Sequence, residues 1–217
     1  MLRPISIRVN IFTNFIMVIG LIAVSLIGMQ YYFSQKLAMS ATHKSFVQTA
    51  RQVTQHIQAR DAVAKNMIHL TQFYPELTLS PTDTRHRETI RRFTANMQRY
   101  IHIYAMYVGY PNGDFFEVAN MESAAVLHAH FKAPPKTRWT IIKIFNSSQG
   151  RVRQFEYLDD ALKLISTRSE PSEYLANKRP WYKQAHQSDN VIRTDPYLFS
   201  NLQQNGVTFA KVIDGSQ

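Results

Sequence analysis

Cysteine is absent from all 217 residues. Its absence excludes a disulfide framework, a thiolate zinc site and a cysteine nucleophile, and it suits a domain kept in an oxidising compartment. Glycine is scarce at seven residues, which rules out collagen-like and low-complexity chains. No internal repeat of solenoid length occurs. There is no P-loop, no Gly-x-Ser-x-Gly, no His-Glu-x-x-His and no kinase or cyclase signature, so neither an enzyme nor a cofactor is expected. Finally, residues 11–33 contain no charged side chain.

That charge-free run, IFTNFIMVIGLIAVSLIGMQYYF, is where the positive reading begins. As a helix it spans roughly 34 Å, enough for the hydrocarbon core with some tilt. Tyr31 and Tyr32 fall where an interfacial aromatic belt belongs. Arg3 and Arg8 lie on the short leading side, so the positive-inside rule puts the N-terminus in the cytoplasm. A cleaved signal peptide would have a shorter apolar region and a small-x-small site; Ala38 and Ser40 offer only a weak one. The expectation is an uncleaved single-pass anchor in a bacterial inner membrane, with residues 1–10 cytoplasmic and everything after 33 periplasmic.

The remaining length allows one globular domain, and 45% hydrophobic residues supply its core. The net charge of +10 is scattered rather than clustered, so no nucleic acid is expected. The one dense group, Arg85, Arg87, Arg91, Arg92 and Arg99, reads as a solvated helix face or a contact for anionic headgroups or an acidic partner.

Residues 34–74 read as a long membrane-emergent helix without Gly or Pro. Met39, Phe46, Ala50, Val53, Ile57, Ala64, Met67 and Tyr74 form an apolar seam along it. The seam serves packing onto the following domain, a homodimeric stalk, or both. Pro75 ends this helix, and Ser80-Pro81-Thr82-Asp83 reads as the N-cap of a second, shorter one. The period then changes. Strands are expected over 101–110 and 115–119 about a Pro-Asn-Gly-Asp turn, then over 138–145, 151–158 and 161–166. A helix over 177–187 and strands over 192–199 and 207–213 complete the chain. Residues 207–213 are expected to pair within the sheet, with no strand following, which leaves an edge that promotes association. The fold class is α+β: a transmembrane helix continuing into a long helix, then an antiparallel sheet with short helices over 75–217.

Residues 174–197 carry the chemistry. Arg179-Pro180-Trp181-Tyr182 places a planar guanidinium fork, a flat indole wall and a phenol within four positions, and Tyr174, Asp195 and Tyr197 flank them. Pro180 starts a helix and fixes the backbone between Arg179 and Trp181. The residue types suit recognition of a small anion.

These stretches resemble the double-Cache family, the PAS-like extracytoplasmic sensor domains of bacterial chemoreceptors, kinases and cyclic-dinucleotide enzymes. The resemblance is sharpest over 107–118 (YVGYPNGDFFEV), 177–185 (NKRPWYKQA) and 196–214. It implies a ligand-sensing input region whose partner is a small carboxylate or amino acid. In members that bind amino acids, a tyrosine precedes the arginine, a tryptophan follows it, and a second tyrosine comes later; Tyr174, Arg179, Trp181 and Tyr197 match. The arginine and tryptophan take the ligand carboxylate, and carboxylates take the ammonium. The position of the first such carboxylate holds Phe199 here, and Asp195 is the nearest substitute, out of register. The same tetrad also fits a structural role, with Trp181 in a core and Arg179 in an ion pair. A binding or adhesion module without signalling output is the alternative function.

Two other groups carry less. His128-Ala-His130 would put two imidazoles on one face only if it is a strand, with no third metal ligand in view. Asp159-Asp160 would point to opposite faces of a strand, which disfavours acid–base work.

Overall fold

The computed structural model describes residues 7–199 and 202–213. These divide into two compact units at Arg60/Asp61. The first is made of helix α1 (Ile7–Thr71), which from Ile11 is long and apolar enough to cross a membrane. Ser25 Oγ donates to the Leu21 carbonyl at 2.8 Å, so its hydroxyl is satisfied within the helix, as hydrocarbon requires. Met39, Phe46, Val53 and Ile57 of the seam are all exposed.

The last residues of α1 belong to the second unit, where Met67 and Thr71 are buried. The helix closes through turns at Phe73 and Tyr74 ahead of Pro75. Helix α2 covers His86–Arg99. It starts later than the Ser80-Pro81-Thr82-Asp83 signal suggests, and that segment is a turn instead. Asp83 Oδ1 accepts from the Arg85 backbone N–H at 2.9 Å, and the Arg85 guanidinium forks onto the same carboxylate. His86 Nε2 lies 2.9 Å from the Ser80 carbonyl oxygen, which folds the segment back over the helix start. Of the arginine group, Arg92 pairs with Glu88 one turn away and stacks on the Tyr74 ring, as a surface face would.

Five strands form an antiparallel meander in chain order: β1 (Ala105–Gly109), β2 (Phe115–Asn120), β3 (Trp139–Ser147), β4 (Gly150–Leu158) and β5 (Leu164–Pro171). The α+β expectation holds. The sheet has two covered faces. Alternation sends Met106, Phe116, Val118, Trp139 and Ile141 into the core beneath α2. The opposite parity, Phe115, Ala119, Ile142, Ile144, Phe155 and Tyr157, packs with the C-terminal segments. Covering both sides leaves every residue of β2 buried.

The helix expected over 177–187 is shorter, a 3₁₀ turn at Ala176–Lys178 and then α4 (Pro180–Ala185); the intervening α3 is Val126–His130. Side chains two apart on a helix point away from each other, so His128 and His130 do not share a face. The strand expected over 192–199 is two: β6 (Ile192–Arg193) and β7 (Tyr197–Phe199) lie either side of Asp195-Pro196, since proline interrupts a ladder. β8 (Gln204–Gly206) pairs with β7, and β9 (Phe209–Ala210) pairs with β6. Residues 207–213 therefore do not extend the five-stranded sheet, contrary to expectation.

Candidate ligand site

The β1–β2 turn builds the site. Gly113 adopts φ +87°, which an L side chain rarely tolerates, and a Cβ there would also strike Leu175 at 2.7 Å. The turn thereby receives the segment that carries the recognition residues. Ala176 N–H donates to the Gly113 carbonyl at 3.0 Å, and Asn177 Nδ2 donates to the Pro111 carbonyl at 2.7 Å. Arg151 of β4 ties the same parts together. Its guanidinium donates to the Gly113 and Tyr174 carbonyls at 2.5 and 2.8 Å and pairs with Asp114 at 3.1 Å. Two sequence stretches distant in the chain are thus fastened into one corner.

From that corner, Pro180 opens α4 with Arg179 as its extended N-cap residue. Trp181, on the first turn, lies across β1 at Gly109, where an added Cβ would sit 2.6 Å from the indole Cη2. The Tyr107 and Trp181 rings meet edge-on at 5.0 Å, and the Tyr174 and Phe115 rings lie 5.0 Å apart. Trp181 is buried and belongs to the core, as a structural role requires. Arg179 does not fit that role: it is exposed, stands 5.4 Å above the Tyr174 ring, and forms no ion pair among the described residues. Its fork is uncommitted.

Tyr197 reaches the same face through a threonine. Thr208 Oγ1 lies 2.7 Å from the Tyr197 hydroxyl and 2.8 Å from the Tyr107 hydroxyl. A threonine has one hydroxyl proton, so at least one of the two tyrosines donates to it. Burial pushes the Tyr107 phenol well above its ordinary value, and Tyr174 is likewise raised by burial and by Glu117, against the opposing pull of Arg179 and a hydrogen bond with Trp181. Both stay protonated donors. The Tyr182 ring lies 5.7 Å from that of Trp181, at the outer edge. Tyr174, Arg179, Trp181, Tyr182 and Tyr197 are therefore gathered. Asp195 is exposed, and no contact ties it to this cluster among the described residues. Phe199 supplies an aromatic wall, its ring 4.8 Å from Tyr197.

Glu117 of β2 was not singled out by sequence reasoning. It stands opposite Tyr107 in the β1–β2 register, is 6% exposed, and accepts a hydrogen bond from Tyr104. Burial, partly offset by that bond and by Arg153, pushes its carboxyl up to about 7. The usable signal was local: β2 reads FFEVAN, with apolar residues on both parities, so both faces are covered and a glutamate within it cannot reach water.

No family model matches the chain, and no solved structure does. Among curated proteins it is similar to Adenylate cyclase 1 of Rhizobium meliloti (strain 1021), with 23% identity over 205 residues. The match covers 93% of this chain and 31% of that protein, so the chain spans about a third of its relative's length. The chain is thus a distant homologue of part of a signalling protein.

Proposed function

We propose that this chain is the ligand-sensing input region of a membrane-anchored bacterial receptor, with its sheet domain on the extracytoplasmic side and a small carboxylate or amino-acid-like molecule as its ligand. The observation that carries the reading is Arg179: an exposed guanidinium with no ion pair among the described residues, held by Pro180 at the rim of a tyrosine- and tryptophan-lined sheet face. A planar fork held there suits a carboxylate. The similarity to part of an adenylate cyclase fits an input region, since a portion of such a protein need not hold the catalytic machinery. We read this chain as non-catalytic.

The full chain in lipid nanodiscs, screened by thermal shift against amino acids and small carboxylates, should melt higher with at least one of them. Saturating ligand raises stability by about 2.7 kcal/mol at a hundred times Kd. A flat response across both classes would remove the proposed function.

Signalling also needs an element with two arrangements, each favoured differently by ligand. The exposed row Met39, Phe46, Val53 and Ile57 on α1 is suited to a parallel homodimer, in which the two copies shift against each other. The chain has no cysteine, so single-site oxidation is clean. Val53→Cys should give a disulfide-linked dimer in membranes, and Gln55→Cys, on the other side of the helix, should not. Equal yields at both positions would count against the stalk.

A further inference from the structure

The five-stranded meander ends on a strand with a neighbour on one side only. At the opposite edge, β1 is crossed by Trp181 at Gly109 and reached by Thr208 at Tyr107. Among the described residues β5 pairs with β4 alone. The Ser172 N–H donates to the Arg151 carbonyl at 3.1 Å, which marks these two as a hydrogen-bonded pair. Such pairs alternate along an antiparallel ladder, so Glu170 and Arg168 also turn their backbone groups toward β4. Thr167 and Ser169 turn theirs outward, and no hydrogen bond meets them among the described residues. Pro171 shares their parity, so the N–H it lacks is one that would face solvent.

An open edge is usually blunted against pairing. Here the blunting is confined to the two ends of β5. The register shift at Tyr157/Leu158 leaves Ile165 unmatched as a bulge, and Pro171 closes the other end. Between them Thr167 and Ser169 are exposed, short and uncharged. Arg168 and Glu170 stand either side of Ser169 on one face of the sheet, both partly exposed. They pair with each other, and Glu170 also meets Arg153 at 3.5 Å. A strand with opposite charges flanking its middle residue complements an inverted copy of itself. Laid antiparallel with Ser169 facing Ser169, it brings each Arg168 opposite the other copy's Glu170, a stabilising cross-strand pair. Centring the register on Arg168 or on Glu170 would instead set like charges face to face. With Ser169 at the centre, its N–H and C=O are both met, and the Thr167 N–H finds the Pro171 carbonyl of the other copy.

We propose that β5 is a self-association edge, through which two copies of this chain pair antiparallel over residues 166–171 about a two-fold axis at Ser169. The two five-stranded sheets become one. So small a contact is weak between free molecules. Anchoring changes the balance. Helix α1 is long and apolar enough to cross a membrane, and copies held in one bilayer meet at an effective concentration far above their bulk value. Together with the charge pattern, this favours a second copy over a diffusing strand of another protein. The proposal uses neither the exposed α1 row nor Arg179, so it stands without the ligand-sensing reading. It also moves the associating edge from residues 207–213 to β5.

The test uses single cysteines in the full chain, oxidised mildly in membranes and read on a non-reducing gel. Ser169→Cys should give a linked dimer, because the paired Cα atoms would lie about 5.5 Å apart, within disulfide reach. Thr167→Cys should give little, since its two copies would stand roughly 14 Å apart at about 3.4 Å per residue. Thr167→Pro removes an outward N–H and leaves the pairing with β4 intact. Added to Ser169→Cys, it should cut the linked fraction severalfold without lowering the melting temperature. If that combination melts early, the two single cysteines decide between them. A Thr167→Cys yield equal to or above that of Ser169→Cys would overturn the proposal, as would no linked dimer at either position. A link that survives Thr167→Pro in a folded chain would do the same. So would a linked species whose mass is not twice that of the chain, which would mean that a foreign strand occupies the edge.

Discussion

Arg179→Ala should abolish ligand-induced stabilisation while leaving the ligand-free melting temperature almost unchanged. The guanidinium is exposed and contacts the Tyr174 ring without any ion pair among the described residues, so its loss removes at most a weak cation–π contact. Toward a ligand carboxylate the same change removes a charge-assisted fork, on the order of 1.5–3 kcal/mol or roughly ten- to hundredfold in Kd. Arg179→Lys keeps the charge without the planar fork and should recover part of the response. Tyr197→Phe should behave differently, because its hydroxyl is 2.7 Å from Thr208 Oγ1. It should lower the ligand-free stability by about 1 kcal/mol and weaken binding too. Trp181→Ala would not discriminate, since the indole is buried over Gly109 and its removal destabilises whatever its role. A normal ligand response in both Arg179→Ala and Tyr197→Phe would leave the site without support.

Glu117→Gln should stabilise the ligand-free domain at alkaline pH, and the gain should vanish in acid. The carboxyl has an ordinary value of 4.5 and is raised to about 7 in the fold. Between those values the folded state holds more protons than the unfolded one, so stability falls as pH rises through that window. Below pH 4.5 both states are protonated and the burial is nearly free. Above pH 7 the penalty is complete, at most about 3 kcal/mol for a shift of this size. Glutamine does not titrate and escapes it. At pH 8 the variant should melt higher by roughly 6–12 °C, and at pH 4 the two should nearly coincide. The groups that interact with Glu117, namely Tyr104, Tyr107, Tyr174 and Arg153, are present in both proteins. So is His86, whose burial lowers its own value and whose titration therefore cancels in the difference. A gap between the two proteins that does not change with pH would show that Glu117 is not a buried, proton-holding carboxyl.

The parts of the fold legible in the sequence were those with local causes. Asn112-Gly113 announces the β1–β2 turn because a positive φ is needed there, and the Ser147–Gly150 turn follows the same logic, with Gly150 at φ +109°. Runs of β-branched and aromatic residues mark β3, and RPWY marks the start of α4 through the proline. What failed had distant causes. The start of α2 depends on His86 reaching back to the Ser80 carbonyl, which no capping signal at Ser80 to Asp83 reveals. The short β6–β9 and β7–β8 ladders are set by Pro196 and by Thr208 reaching Tyr107 across 101 residues. Glu117 is different: FFEVAN, with apolar residues on both parities, is itself the local sign of a strand covered on both faces.

Everything proposed for the site requires that the sheet domain and Arg179 face the solvent outside the cytoplasm. The most direct measurement is a pair of fusions placed after Gln217 in a bacterial host. One carries a reporter enzyme that needs disulfides to fold and so works only in an oxidising compartment. The other carries a fluorescent protein that matures only in the cytoplasm. An active enzyme and a dark fluorescent fusion are the results expected from an anchor at residues 11–33 with Arg3 and Arg8 held inside. An inactive enzyme beside a bright fluorescent fusion would put the site in the wrong compartment and contradict the proposed function.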